Sequence, residues 1–323
     1  RRNCMAAGLR FCFLFAWVAA SRALKKDAKR AYKLSNDSML TVLAFSDVHG
    51  RIRNSPGIKN LQDLLSSEIS KKIVDSTADV LIYGGDISNR PGDDVDGHEQ
   101  QIAEMWTFLE WFASLNNPVK VLIAGNHDTC LDPNVMKEGD ASERDKMLVF
   151  MEAQGITYLE GECKAFDIPG KGIVHILGSP LSQGHGMPQQ NAFQYDSPLD
   201  ANSSASYLAS IKSLKDAAAT SCSHPIVMIH GPPDNANTIF ASANSSMIDA
   251  IMDINPTIVL SGHFHAMPVD KGGYILQDTF LTHSERRGDK VRLLMVPMKT
   301  TLGDEREKDG IFRIEPVTFH VAI

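Results

Sequence analysis

Six short runs dominated by apolar residues, at positions 40–45, 80–83, 119–124, 173–177, 226–229 and 258–260 and interrupted only by Thr41, Lys120 and His175, constrain this chain more than any other feature. A strand with one wet face alternates polar and apolar side chains, whereas a run that is apolar throughout reads as a strand covered on both faces. Helical patterns fill the intervals, at 58–73, 98–115, 143–152, 206–219 and 246–252. Strand, polar loop, helix and strand in repetition is α/β organisation. The carboxyl end changes character: 274–277, 291–296, 311–314 and 317–321 are short β-like stretches without long helices between them, and they are expected to complete a second sheet.

With 323 residues the chain is long enough for one large domain or two ordinary ones. No interdomain linker interrupts the pattern, so a single domain over 39–323 is expected, behind a linker at 24–38 and an N-terminal targeting segment at 1–23. In that segment Arg1, Arg2 and Arg10 precede an apolar stretch at 11–20 that ends in small residues. This order fits a secretory signal peptide cleaved near Ala20 or Ala23, and 10 apolar residues fall short of the roughly 20 that span a bilayer. An uncleaved anchor or a mitochondrial presequence shares the same basic, acid-poor character. The expected location is a secretory compartment or the exterior, with a cytoplasmic or organellar location as the alternative. No transmembrane helix remains if the signal is removed.

The sequons at Asn36, Asn202 and Asn244 are glycosylation candidates only in an exported chain. Cys130, Cys163 and Cys222 are odd in number and lack paired spacing, so no disulfide framework is indicated. A formal charge of -7, with no Lys/Arg run interleaved with aromatics, argues against specific nucleic-acid binding. Oligomeric state leaves no mark in the sequence.

Chemistry gathers at the ends of the apolar runs. Asp47-x-His49 follows the first, and in extended backbone residues two apart project to the same side, so a carboxylate and an imidazole can converge on one cation. Gly85-Asp86 follows the second; Asp86 could bridge two cations, and Arg90 beyond it could pair with phosphate oxygens. Gly125-Asn126-His127-Asp128 follows the third. Asn126 offers a neutral carbonyl ligand and an amide donor, His127 can donate a proton or stabilise charge, and Asp128 can orient His127. His230 follows the fifth run, and Gly262-His263-x-His265 the sixth. Each cluster alone is also compatible with an ordinary turn or a structural histidine. Their joint placement beyond strand carboxyl ends, where α/β folds bind ligands, makes that reading untenable. Neither a Gly-x-Ser-x-Gly elbow nor a Gly-Lys-Ser/Thr phosphate loop occurs.

The ordered set Asp47-x-His49, Gly85-Asp86, Gly125-Asn126-His127-Asp128, His230 and Gly262-His263-x-His265 resembles the calcineurin-like metallophosphoesterases over roughly residues 41–279. Phe108-Leu-Glu-Trp111, Gly178-Ser-Pro180 and His230-Gly-Pro-Pro233 are similar to its metallophosphoesterase-domain-containing (MPPED-type) branch. The resemblance implies a four-layer α/β/β/α sandwich with two mixed sheets. It also implies two divalent or Fe/Zn/Mn-type metal ions and direct attack of an activated water on phosphorus. Asp47, His49 and His265 would hold the first cation, Asn126, His230 and His263 the second, and Asp86 both, with His127 beside the substrate phosphate. The implied substrate is a small-molecule phosphoester, with a phosphodiester favoured over a phosphomonoester; a catalytically weak metal-binding scaffold is the non-enzymatic alternative. Asn89 stands where the protein-phosphatase branch carries an Asp, and the 181–190 segment around His185 lacks the aromatics usual in the closer branch. Substrate specificity is therefore not inherited.

Overall fold

The structure, a computed structural model, describes residues 39–49, 68–88, 95–136, 140–184, 192–195, 204–219, 222–233, 245–263, 278–282, 290–295, 299–300, 312–313 and 317–322. In chain order its elements are β1 (Met39–Phe45), α1 (Glu68–Val74), β2 (Val80–Gly84), α2 (Val95–Ser114), β3 (Val119–Ile123) and a 3-10 turn (Thr129–Leu131). There follow α3 (Asp140–Ala153), β4 (Ile156–Tyr158), β5 (Glu162–Ile168), β6 (Gly172–Ser179), β7 (Ser182–Gln183), β8 (Gln194–Tyr195) and α4 (Ser204–Ala219). The last are β9 (Ile226–Ile229), α5 (Ser245–Asp253), β10 (Ile258–Ser261), β11 (Asp278–Thr282), β12 (Lys290–Met295), β13 (Lys299–Thr300), β14 (Phe312–Arg313) and β15 (Val317–Ala322).

Two mixed sheets carry the fold, in the orders β15-β1-β2-β3-β4 and β11-β12-β10-β9-β6-β5. The first is parallel except where β15 runs antiparallel to β1; the second is parallel from β6 to β12 with antiparallel strands on both edges. The period of two along each strand divides its side chains between two cores. Leu40, Val42, Ala44, Val80, Ile82, Val121 and Ile123 face Ile176, Ile226, Met228, Ile258 and Leu260 of the other sheet in a dry inter-sheet core. The intervening Leu43, Phe45, Leu81, Tyr83 and Leu122 pack with Met105, Phe108, Leu109 and Phe112 of α2 and with Met147 and Met151 of α3. On the far side Leu177, Val227, Ile229 and Val259 meet Leu214 of α4 and Met247, Ile248 and Ile251 of α5. The layers are helix, sheet, sheet, helix. Nearly continuous apolar runs follow from that arrangement, because a strand between two cores has no wet face.

One buried cation belongs to this scaffold. The last turn of α2 has no basic residue, and Lys120 on β3 supplies the missing donor to the carbonyls of Ala113 and Leu115, at 2.7 and 3.1 Å. Carbonyls orphaned at a helix end are thereby satisfied from the neighbouring strand.

The structure departs from three expectations. The closing strands do not all join the second sheet: β11 and β12 do, but β15 returns to the first and pairs Met39 with Ala322. β5 gave no apolar signal, since its residues Glu162-Cys-Lys-Ala-Phe-Asp-Ile168 form an edge strand that is mostly exposed or half-buried. Cys163 on this strand forms a disulfide with Cys222, across 59 residues of sequence and with Cα atoms 6.1 Å apart, where the cysteine count and spacing indicated no disulfide framework. Pairing set by the fold rather than by local spacing is invisible to a count. Cys130 stays free and buried.

The targeting segment and linker at 1–38, the three sequons, Asn89, Arg90, His185, His265 and the 274–277 stretch lie outside the described residues. Among the described residues no helix is long and apolar enough to cross a membrane.

The disulfide should stabilise the fold by about 2–4 kcal/mol, mainly by restricting the unfolded chain. Cys163→Ser is expected to lower the thermal midpoint of the oxidised protein and to match the wild type once both are reduced. Equal midpoints under oxidising conditions would remove the cross-link from the folded state.

Candidate metal centre

The polar clusters stand at the carboxyl ends of β1, β2, β3, β9 and β10, and backbone hydrogen bonds lace their loops together before any side chain takes part. Asp47 N–H donates to the Gly85 carbonyl at 2.8 Å and His49 N–H to that of Asp86 at 3.1 Å, joining the first two loops. His230 N–H donates to Ser179 O and Gly262 N–H to His230 O, joining the loops of the second sheet. Between the sheets, His230 Nδ1 lies 2.8 Å from Gly84 O, and the N–H of His263 reaches Asp47 Oδ1 at 2.9 Å.

Apolar residues inside the clusters act as anchors. Val48, between Asp47 and His49, and Ile87, after Asp86, are fully buried in the α2-facing core. With Val48 pinned in the core, its neighbours on either side are turned toward the site. The turn is tight enough to strain the backbone. Asp47, His49, Asp86 and His263 have φ of 60°, 46°, 56° and 68°. Left-handed backbone is uncommon outside glycine, although Asp and His tolerate it better than β-branched residues do, and such strain concentrates at functional sites. Gly125 is required for a different reason: a Cβ there would overlap an Asp86 carboxylate oxygen and stand 2.6 Å from His230 Cε1.

Asp86, 1% exposed, is the centre of the constellation. Its Oδ2 lies 3.5 Å from His49 Nε2, while Oδ1 lies 3.3 Å from His230 Nε2 and accepts the N–H of His127 at 2.9 Å. Ligand atoms of His49, Asp86 and His127 lie within 4.8 Å of one another, and so do those of Asp86, His230 and His263. Asp86 belongs to both groups. The Asn126 side-chain oxygen joins the second, 3.1 Å from His230 Nε2. Asp47 Oδ1 stands 3.9 Å from His49 Nε2, and its carboxylate accepts from the Ser46 hydroxyl and from the N–H of His263. The His49 and His127 rings meet edge to face at 4.6 Å, as do those of His230 and His263 at 5.1 Å.

The structure thus brings together Asp47, His49, Asp86, Asn126, His127, His230 and His263. His127 differs from its sequence-based assignment in lying among candidate ligands rather than only beside a substrate position. Asp128 differs too. Its buried carboxylate accepts from the N–H groups of Gly125 (2.8 Å), Ser88 (3.0 Å) and Ile87 (3.3 Å) and from the Ser88 hydroxyl, clamping the second loop to the third. Tyr83 was not legible from the sequence. It sits in a strand run, fully buried, yet its hydroxyl accepts from Val48 N–H and donates to Asp86 O, tying the first loop to the second.

The donor set suits transition-metal cations: convergent carboxylate, imidazole and amide oxygen atoms, with neutral imidazole favouring Zn, Fe or Mn over Mg. His230 is prepared for ligation. Its Nδ1–H bonded to Gly84 O leaves Nε2 facing Asp86 and Asn126, the arrangement by which an outer partner fixes the tautomer of a ligating histidine. Electrostatics set the protonation that an incoming cation meets there. Burial alone would raise the Asp86 carboxyl, but the charges of His230, His127 and His49 and a hydrogen bond from His230 hold it well below the usual range. Burial would lower His230, but the Asp86 charge and hydrogen bond, with help from Asp47 and Gly84 O, carry it up to about 9. Between its ordinary 6.5 and about 9, the cation-free His230 therefore keeps a proton that a cation must displace. Manganese or zinc uptake near neutral pH should release protons, with affinity rising toward pH 9. Calorimetric titration in buffers of different ionisation enthalpy measures this directly, and uptake without proton release would exclude His230 as a ligand.

A family model described as calcineurin-like phosphoesterase matches residues 40–267. A probable rhamnogalacturonate lyase C of Emericella nidulans is 26% identical over 163 residues, half of this chain but only 12% of that protein's length. Among solved structures, one overlays with a TM-score of 0.51 at 13% identity, covering 79% of this chain and 90% of the other, which speaks to the fold alone. The TT1561 protein of Thermus thermophilus overlays at 0.47 and 13% identity, over 87% of this chain and 98% of that one. With the family model covering the strands and loops that build the site, this chain belongs to the calcineurin-like phosphoesterases.

Proposed function

We propose that the chain hydrolyses a small-molecule phosphoester, phosphodiesters ahead of phosphomonoesters, using two divalent or Fe/Zn/Mn-type metal ions. The observation that carries this reading is Asp86, whose two oxygens face different imidazoles, His49 on one side and His230 on the other, within two donor groups that share it. Asp47, His49 and His265 would hold one cation, Asn126, His230 and His263 the other, and Asp86 both. Once bound, such a pair lowers the pKa of a water and offsets the charge of the phosphoryl group.

The other residues prepare this reaction. His127, pinned through its N–H to Asp86, is the proton donor or charge stabiliser at the phosphoryl oxygens. Asn126 combines ligation with an amide donor. Asp128 is a positioning residue that fixes the loop bearing both. Arg90, two residues beyond the clamped Ser88, is assigned to phosphate oxygens by its guanidinium chemistry. Asn89, at the position where the protein-phosphatase branch carries an acid, argues against a phosphoprotein substrate and for a small-molecule ester.

Nucleic acid is not an expected partner, in keeping with the charge of -7. A secretory-pathway or extracellular location is supported by two independent features, the basic-then-apolar order of residues 1–20 and the Cys163–Cys222 disulfide, since such bonds persist in oxidising compartments.

Chelator-stripped protein should be inert, and added manganese or zinc should restore turnover of phosphodiesters above phosphomonoesters and phosphoproteins in a parallel panel. Full activity in stripped protein would refute the proposal. His127→Ala should lower turnover about 10²- to 10⁴-fold at unchanged metal content. Loss of turnover and metal in proportion would reassign His127 as a ligand.

A further inference from the structure

Helix α2 packs Met105, Phe108 and Phe112 against the first sheet, and Gln101 continues the same stripe at helical spacing toward its amino end. Met105, Phe108 and Phe112 are fully buried hydrophobics, as such a stripe requires. Gln101 is not hydrophobic, yet it is only 1% exposed. A buried amide is costly unless its hydrogen bonds are met, so its presence at the head of an apolar stripe calls for a reason.

Its bonds supply one. The Gln101 amide nitrogen donates to the carbonyl of His127 at 2.5 Å and to the Ser88 hydroxyl at 3.1 Å, and its oxygen accepts from the Thr129 hydroxyl at 2.8 Å. Ser88 in turn donates to Asp128, whose other contacts hold Gly125 and Ile87. One side chain on a rigid 20-residue helix thus reaches the second loop and both sides of Asp128 in the third.

We propose that Gln101 is a positioning residue for His127. It holds the His127 carbonyl from the helix side while Asp86 holds the His127 N–H from the site side, so the peptide groups flanking the ring are fixed from opposite directions. Ring placement then depends on a helix rather than on the loop alone. Precision of this kind matters because a reacting group misplaced by about 1 Å can lose about a hundredfold in rate. The bonds run to the His127 carbonyl and to the Ser88 and Thr129 hydroxyls rather than to the Asn126 side chain, so the effect of Gln101 is expected in turnover with metal content held.

This inference rests on the phosphoesterase reading, and the test separates the two. Gln101→Met keeps the length and helix propensity but removes every hydrogen bond; Gln101→Glu keeps the acceptor for Thr129 and loses the donor to His127, and carries the test if the first variant does not fold. With manganese-loaded protein and a nitrophenyl phosphodiester, each variant is expected to lose about 10- to 100-fold in kcat with KM and metal content unchanged. In a His127→Ala background the same substitutions should add no further loss, because a residue acting through His127 has nothing left to position. Amide hydrogen exchange at His127 and Thr129 should quicken in both variants. Unchanged kcat, losses that multiply with that of His127→Ala, or unchanged exchange would overturn the proposal. A metal-loaded wild type inert toward all phosphoesters would instead overturn the phosphoesterase reading, and exchange would then decide whether Gln101 orders the loop.

Discussion

Asp86 is a carboxylate taken almost wholly out of water at the place where two sheets converge, and it is tolerated there because positive charge surrounds it. A buried carboxylate without a partner is severely destabilising, so the protein neutralises it or fills the gap with cations. Here His230 approaches from the second sheet and His49 from the first, while the His127 N–H occupies one oxygen. Removing the carboxylate would take away the charge that keeps buried His230 protonated, and removing the imidazoles would leave an unpaired acid. The two sheets are consequently coupled through chemistry at one end as well as through apolar packing along their length.

That coupling accounts for local features that would otherwise be liabilities. Left-handed backbone at Asp47, His49, Asp86 and His263 persists because the surrounding structure over-determines it. Val48 and Ile87 anchor in the core, Tyr83 bonds two loops through one hydroxyl, and Asp128 gathers three peptide N–H groups. Burial raises Asp128, and the neighbouring Asp86 charge adds to this, to about 6 despite those donors; the clamp itself is thus sensitive to the carboxylate it helps to place. Gly125 has no side chain because the site has no room for one.

Much of the architecture was legible in local pattern. Runs such as 80–83 and 226–229 are apolar at every position because each strand serves two cores, and β2 and β9 occupy them with only the terminal residue of β2 added. Elements whose environment is not uniform were harder to read. β5, exposed along most of an edge, has no reason to alternate or to be apolar, and it went unseen. The pairing of Cys163 with Cys222 depends on β5 lying near the end of α4, a relation no spacing rule contains. β15 resembles any short closing strand until its register against β1 places it in the first sheet.

What the sequence alone determined was the inventory and its order: α/β alternation, and ligand-type residues at the ends of apolar runs. Those properties are local, since apolar continuity reports two-sided burial and the residue following a strand must sit at its end. The tertiary structure decided the relations. It showed that Asp86 faces two imidazoles from different sheets, that Asp128 serves backbone N–H groups, and that Gln101, one polar residue in an apolar stripe, is tied to the His127 loop. Each of these depends on distances between segments 26 or more residues apart, or on the direction of a single bond, and neither quantity is encoded in the chemistry of a residue and its neighbours.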